Sequence, residues 1–370
     1  MAHRRRLSHY HRMMKIALDA TPLTVPSGGA RRYTEELSHA LAANFDADEF
    51  WLLSDQPFDP PENSPPNLKI GRGPRNLIER RWWLWGLQGE ILRLKVDVFH
   101  GTDFAVPYLP VGPSVMTLHD LSPWMDPSWH AEADRVRNRT PMLLRLGLAT
   151  MVITPSEAIR RQALERFRLL AGRVVAVPHA ASRQFRPNPS PREGPPFLLY
   201  VGTLEPRKNV NLLLEVWREV RKQHPVELVL AGRRRKDFPE IEPEPGLHLP
   251  GLTPEEELPR LYSNAVVCLY PSFYEGFGLP VLEAMACGAA VIASNDPAIS
   301  EVAGDGAIVL DPRDASAWVQ ALEALLSNPQ QLQVLRQRAS ARAAEFSWTK
   351  TAKLTKEVYG HAAERFRKKT

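Results

Sequence analysis

Two glutamates stand eight positions apart around a glycine pair in Pro271-Ser272-Phe273-Tyr274-Glu275-Gly276-Phe277-Gly278-Leu279-Pro280-Val281-Leu282-Glu283-Ala284-Met285-Ala286-Cys287-Gly288. The segment leaves a strand and enters a helix that Pro280 can open and Gly288 can stop. Gly276 and Gly278 permit close backbone approach just before it, so amides and the positive end of the helix dipole converge where a phosphate would sit. Glu283, read into the first turn of that helix, supplies a carboxylate able to accept from a diol. Glu275 lies in the preceding loop, and Pro280 argues against one helix carrying both acids. The two acids therefore have different tasks. Taken alone, the segment also reads as a tight strand-to-helix turn with two solvated glutamates.

Other residues point to the same kind of edge. Tyr200-Val201-Gly202-Thr203-Leu204-Glu205-Pro206-Arg207-Lys208-Asn209 also leaves a strand before a helix, and ligands of open α/β sheets bind at the carboxyl ends of the strands. Arg207 offers a planar fork and Lys208 a point charge for a diphosphate, with a solvated turn as the plainer reading. Pro26-Ser27-Gly28-Gly29-Ala30-Arg31-Arg32 opens the first helix with amides that can face an anion. Its spacing is not G-x-G-x-x-G, so a dinucleotide fold is poorly supported. His119-Asp120 ends a strand, and a lone histidine there serves structure as readily as catalysis.

Positioning these groups requires alternating strands and helices, the pattern of parallel sheets with crossover helices. Strands are expected over 15–19, 50–54, 68–71, 96–100, 114–119, 151–154 and 174–178, with helices near 30–43, 77–94, 131–148 and 156–167. Residues 186–196 hold five prolines in eleven positions, which forbids helix and central strand alike. Beyond this linker, strands are expected over 197–202, 227–231, 247–249, 266–270, 290–294 and 307–310. Helices follow near 210–223, 255–263, 280–287, 315–326 and 329–344, and a last one over 350–368 is expected to return to the first domain. The organisation is a basic tail at 1–13, an α/β domain at 14–185, the linker, a second α/β domain at 197–347 and the terminal helix at 348–370.

A chain of 370 residues suits two cores, and its 44% hydrophobic and 24% charged content is that of a folded protein. The net charge of +5 is misleading. Arg4, Arg5, Arg6, Arg12 and Lys15 supply all of the excess within the first fifteen residues, mostly from the terminal tail, and the rest of the chain balances. With no spread basic face or recognition motif, nucleic-acid binding is not expected. There is no run of 18 apolar residues and no signal-peptide pattern, so a cytoplasmic protein is expected. Cys268 and Cys287 lack zinc spacing and read as small buried hydrophobes.

The chain resembles the retaining glycosyltransferases of family 4 from about Met14 to its end, with Glu275 to Glu283 as the family's E-x7-E motif. The resemblance implies the GT-B fold, two facing Rossmann-like α/β domains, with the donor held mainly by the second. It assigns Glu283 to the ribose hydroxyls, Glu275 to the transferred sugar, the amides of Gly276, Phe277, Gly278 and Leu279 to sugar and phosphate, and Lys208 to the diphosphate. Arg207 joins Lys208, Gly28 and Gly29 close on the donor phosphates or the acceptor, and His119 contacts the donor sugar. Thr203 stands where many members have arginine, which resembles a subgroup often found in bacterial mannosyltransferases. Val177-Pro178-His179-Ala180-Ala181-Ser182 departs from the usual asparagine-glycine pair.

The implied activity is transfer of a hexose from a sugar nucleotide to a glycan or lipid-linked acceptor, as in bacterial polysaccharide or lipopolysaccharide assembly. Mannose from GDP-mannose is the first expectation; UDP-glucose, or a nucleotide-sugar epimerase of the same fold, is the alternative. No Asp-x-Asp motif ends a strand, and Asp46-Ala47-Asp48 reads as a solvated turn, so neither metal nor cofactor is expected. Finally, Glu79-Arg80-Arg81-Trp82-Trp83-Leu84-Trp85-Gly86-Leu87 resembles an interfacial helix on anionic lipid, which would make the protein peripheral to the inner face of the membrane. A buried crossover helix fits the same spacing.

Overall fold

The structure is a computed structural model describing residues 13–129, 133–189 and 194–368. Residues 1–12 of the expected tail, residues 130–132 at the start of the expected helix 131–148, residues 190–193 of the expected linker and the last two residues lie outside it. In chain order the first unit comprises β1 (Lys15–Asp19), α1 (Gly29–Asn44), β2 (Glu49–Leu53), β3 (Leu68–Ile70), α2 (Leu87–Leu94), β4 (Val98–Gly101), β5 (Ser114–Thr117), α3 (Ser122–Met125), α4 (Asp134–Arg145), β6 (Met151–Thr154), α5 (Glu157–Phe167) and β7 (Val174–Ala176). The second comprises β8 (Phe197–Val201), α6 (Val210–Val220), β9 (Glu227–Ala231), β10 (Leu247–Gly251), α7 (Leu258–Asn264), β11 (Val267–Tyr270), α8 (Leu279–Ala286), β12 (Ala290–Ser294), α9 (Pro297–Ala303), β13 (Ile308–Leu310), α10 (Ala315–Ser327) and α11 (Pro329–Ala343). The last helix is α12 (Trp348–Arg367).

The sheets have strand orders β3-β2-β1-β4-β5-β6-β7 and β10-β9-β8-β11-β12-β13, all parallel. Covered on both faces, β11 and β12 are apolar and buried at nearly every position, as parallel strands require. Strand order reverses beside β1 in one sheet and beside β8 in the other, and a crevice opens past the carboxyl ends at such a switch point. The segments leaving β1, β5, β8 and β11 are therefore brought to one cleft, and they carry Gly28, His119, Arg207 and Glu275.

The fold is α/β with two Rossmann-like units, and α12 returns to the first one. Trp348, Ala352, Val358 and Tyr359 join the core formed by Ile16, Leu37 and Phe50. Tyr359 Oη is hydrogen-bonded to His100 Nδ1 (2.7 Å), and Thr351 Oγ1 donates to the Pro178 carbonyl (2.7 Å). Lys356 pairs with Asp48, which also accepts from the Met14 amide (2.8 Å). Asp48 is thus a buried anchor for the terminal helix and not part of a solvated turn, because its charge is matched by a lysine 308 positions away.

Local differences from the expected elements have local causes. The helix expected over 77–94 is a turn, a short π-helical stretch at Trp82–Gly86 and then α2. Asn76 accepts from the Ile78 and Glu79 amides (3.0 and 2.9 Å), competing with helix formation there. Trp82, only 3% exposed, packs with Leu87, Ile91 and Phe99. Of the three tryptophans only Trp85 is exposed, at 49%, and it shares the surface with Leu77 (78%), Ile78 (68%), Arg75, Arg80 and Arg81. The seven-residue α9 is too short to show periodicity, but Asp296 caps it through the Ala298 and Ile299 amides. Cys268 and Cys287 are free and buried. Among the described residues no helix is long and apolar enough to cross a membrane.

Candidate active site

The α8 entry follows from its glycines. Gly278 caps the helix at φ 94°, ψ 46°, a left-handed conformation that a side chain resists, and the chain then turns directly into Leu279–Ala286. A Cβ on Gly276 would lie 1.9 Å from the His119 carbonyl oxygen, so the loop after β11 lies against the strand end after β5 only because Gly276 has no side chain. Ser156 Oγ donates to the Gly276 carbonyl (2.9 Å) from the first unit. Tyr274 Oη accepts from the Leu121 amide (2.9 Å) and donates to Gln162 (2.7 Å). The cleft is closed across this loop.

His119 Nε2 donates to the Thr102 carbonyl (2.8 Å), which fixes the tautomer and leaves Nδ1 as the accepting nitrogen. Its ring meets Tyr33 edge-on at 4.9 Å. Gly28 caps α1 and Gly29 begins it, one turn before Tyr33, and a Cβ at either glycine would meet open space.

Glu275 accepts from Lys208 Nζ, from Ser272 Oγ (2.8 Å) and from Arg207 Nη1 (3.2 Å). Arg207 also donates to Glu205 (2.9 Å) and the Tyr274 carbonyl (2.8 Å). Burial alone would raise the Glu275 carboxyl, but Lys208 and Arg207 outweigh it and hold it at about 2. Burial disfavours the Arg207 charge, yet Glu275 and Glu205 keep its pKa above the ordinary value. Lys208 is pushed down by burial and by Arg207, against the pull of Glu275. The two expected phosphate ligands are thus brought together but paired, and the buried group of two cations and two acids has no net formal charge.

Glu283 lies one turn inside α8, not in its first turn, and is 1% exposed. One oxygen pairs with Arg32 of α1 and the other accepts from Tyr262 Oη (3.2 Å). Burial raises its pKa, only partly countered by Arg32. The two acids of the motif therefore have separate surroundings and share no partner.

Several residues escaped the sequence reading. Arg32 and Tyr262 are visible only through Glu283, 251 and 21 positions away, whereas Glu205 lies two positions from its partner Arg207 and was passed over as a turn residue. Arg235 donates to the Trp129 and Ser128 carbonyls of the first unit and pairs with Glu205 (3.2 Å), closing the cleft at another point. His179, in the segment that departs from the family pattern, is buried between Tyr33, Phe277 and Trp348. Asp19 at the end of β1 is pushed up by burial to about 7, with Thr21 opposing. Position at a strand end was the one available signal for it. Among the described residues no cluster of three His, Cys, Asp or Glu side chains could hold a metal.

Comparison with known proteins bears on this geometry. Residues 27–184 match the model described as Glycosyltransferase Family 4, and residues 182–343 match Glycosyl transferases group 1. The chain is 31% identical to the O-antigen chain mannosyltransferase B of Escherichia coli over 94% of its own length and 99% of that protein. Its fold is similar to that of sucrose-phosphate synthase from Thermosynechococcus elongatus, with a TM-score of 0.71, 23% identity, and 94% and 98% of the two chains covered. It is also similar to Anabaena Alr3699/HepE, solved in complex with UDP, with a TM-score of 0.68, 16% identity, and coverage of 93% and 99%.

Proposed function

We propose, from the premise that this chain belongs to the family 4 glycosyltransferases and has their GT-B fold, that it transfers mannose from GDP-mannose with retention of configuration. Family membership sets the epimerase alternative aside. The observation that carries the mannosyl assignment is the end-to-end similarity to an O-antigen chain mannosyltransferase. The acceptor in this reading is a glycan or lipid-linked glycan of a surface polysaccharide.

The site supports the chemistry residue by residue. Glu283 takes the ribose hydroxyls. Lys208, exchanging Glu275 for the donor, neutralises the departing diphosphate together with the first-turn amides of α8 and the α1 start at Gly28 and Gly29. Glu275, released from Lys208, faces the transferred sugar, where charge develops at the anomeric carbon. His119 presents Nδ1 to the sugar, held by its bond to Thr102. Arg207, caught between Glu205 and Glu275, braces the loop more than it contacts the donor. Lys208 and the helix starts fill the role of a divalent cation in this reading, so turnover is expected to survive EDTA.

Membrane contact, in this reading, uses Leu77, Ile78 and Trp85 with the arginines around them. A thermal-shift panel of sugar nucleotides tests the donor, since a ligand bound only by the folded state raises its stability. GDP-mannose should raise the Tm most and support turnover with a lipid-linked oligosaccharide acceptor in EDTA. A larger shift and turnover with UDP-glucose would overturn the mannosyl assignment.

A further inference from the structure

The first domain carries two acids that no step of the proposed transfer uses: Asp19 at the end of β1, and Asp103 in the turn after β4. That turn is tightly made. A Cβ on Gly101 would lie 1.5 Å from the Ala105 carbonyl oxygen, so the chain doubles back at once, and Phe104 takes part in the reversal at φ 54°. Both neighbours of Asp103 are fastened. Thr102 Oγ1 donates to the Asp19 carbonyl (2.7 Å), and the Thr102 carbonyl is the one that accepts from His119 Nε2 (2.8 Å). The Phe104 amide donates to the Thr117 carbonyl (3.1 Å), and the Phe104 carbonyl accepts from Thr140 Oγ1 (2.9 Å).

Asp103 is thus the tip of a fixed turn, joined directly to the peptide group that orients His119. It is half-buried, and among the described residues no hydrogen bond reaches its carboxylate. Burial pushes Asp103 upward and Asp19 to about 7, and the charge of Arg139 from α4 pulls against both. Arg139 lies 5.5 Å from the centre of the Trp83 ring, and its Nε is buried without a partner among the described residues. Asp120, whose carboxylate accepts from the Ser122 amide and hydroxyl (2.9 and 2.7 Å), adds its own negative charge beside Asp103. Three acids share one guanidinium and one imidazole.

We infer that Asp103 is a specificity residue for the acceptor: it accepts from a hydroxyl of the acceptor's terminal sugar beside His119, and the acids around it restrict that terminus to a neutral sugar, excluding phosphorylated and uronic-acid ends. The inference rests on the glycosyltransferase reading and names the class of its acceptor. Retention brings the acceptor hydroxyl to the face from which the diphosphate departs, next to the transferred sugar that His119 touches in that reading. Asp103 is the unspent accepting group at this place, and a carboxylate has lone pairs for more than one sugar hydroxyl. An anion brought there would meet like charge or would require the acids to be protonated. Either way it binds more weakly than the neutral sugar of the same shape.

The test uses whichever sugar nucleotide the enzyme turns over, with the lipid-linked oligosaccharide as acceptor. Octyl mannoside and octyl glucoside, each beside its 6-uronic acid, are measured as competitors of that acceptor. At least one neutral glycoside should compete, and its uronic acid should do so at least about tenfold more weakly. Asp103→Asn should raise the acceptor KM roughly tenfold and narrow the gap between the neutral and acidic competitors, while GDP affinity by calorimetry stays at the wild-type value. A merely structural role would instead lower Tm and GDP affinity together. Asp103→Ser, which also removes the charge, decides the matter if Asp103→Asn does not fold. Equal competition by a glycoside and its uronic acid, competition by neither neutral glycoside, or an unchanged acceptor KM in the variant would overturn the acceptor subsite. These outcomes leave the transferase reading standing, whereas a wild type that transfers from no sugar nucleotide would refute that reading and the subsite with it.

Discussion

Glu275 and Glu283 enter the same helix start, but one is surrounded by cations and the other lies in a desolvated pocket with one arginine. Their neutral variants should therefore behave differently. Glu283→Gln removes the charge that accepts from a ribose diol, a contribution on the order of 1.5–3 kcal/mol, and nucleoside diphosphate affinity should fall roughly tenfold even with Arg32 freed. Glu275→Gln releases Lys208 towards the diphosphate, so its affinity for the bare diphosphate should hold or rise while kcat falls. Calorimetry with GDP and turnover with the donor check both, and equal affinity losses would refute the division of roles. The Glu275 pair also predicts a pH dependence. Its carboxyl stands at about 2 in the folded protein against an ordinary 4.5, so its stabilisation is complete above pH 4.5 and is lost as the pH falls towards 2. The Tm advantage of the wild type over Glu275→Gln should be constant near neutrality and shrink across that window in a calorimetric pH series.

At the scale of elements, the loop into α8 and the strand end after β5 meet backbone to backbone. Gly276→Ala puts a methyl group into the His119 carbonyl, and one partner must move by more than an ångström. Misplacement on that scale costs about a hundredfold in rate, so kcat should fall by about that factor while GDP binding, centred on α8 and Glu283, changes little. A Gly276→Ala enzyme with wild-type kcat would show that the contact does not align the site. The stretch before α2 makes a separate prediction, because burial divides its apolar residues. Replacing Leu77, Ile78 and Trp85 by serine should weaken co-sedimentation with anionic vesicles without lowering the Tm. Trp82→Ser, by contrast, should destabilise by about 3–5 kcal/mol, as loss of a buried aromatic does. Unchanged vesicle binding in the triple variant would remove the membrane contact.

At the scale of the molecule, α12 crosses from the second domain to complete the first. Its Tyr359 reaches His100, whose other ring nitrogen bonds Thr117 (2.8 Å), and Thr117 in turn bonds Tyr33 (3.0 Å). A buried polar chain thus runs from the terminal helix to the aromatic beside His119. Tyr359→Phe leaves a buried imidazole nitrogen unpartnered and should lower stability by about 1–3 kcal/mol in denaturant unfolding. No change in midpoint would mean that this chain does not fasten the helix.

By itself the sequence determined the two α/β units, the thirteen strands among the described residues and the sheet edge at which the motif residues gather. Buried parallel strands such as Val267–Tyr270 and Ala290–Ser294 are contiguous apolar runs bounded by turn residues, and that signal is local. It also determined the helix start at Gly278, since the glycines, Pro280 and Glu283 lie within a few positions of one another. Tertiary structure alone decided how the charges are spent. Lys208 meets Glu275 across 67 positions and Arg32 meets Glu283 across 251, and no periodicity reports such pairs. Burial of one tryptophan and exposure of another three positions away was equally illegible, because the Asn76 turn and the π-helical stretch at Trp82–Gly86 replace the regular helix that spacing implied. Local chemistry chooses the elements, whereas the partner of a long charged side chain depends on which strand ends the completed fold brings face to face.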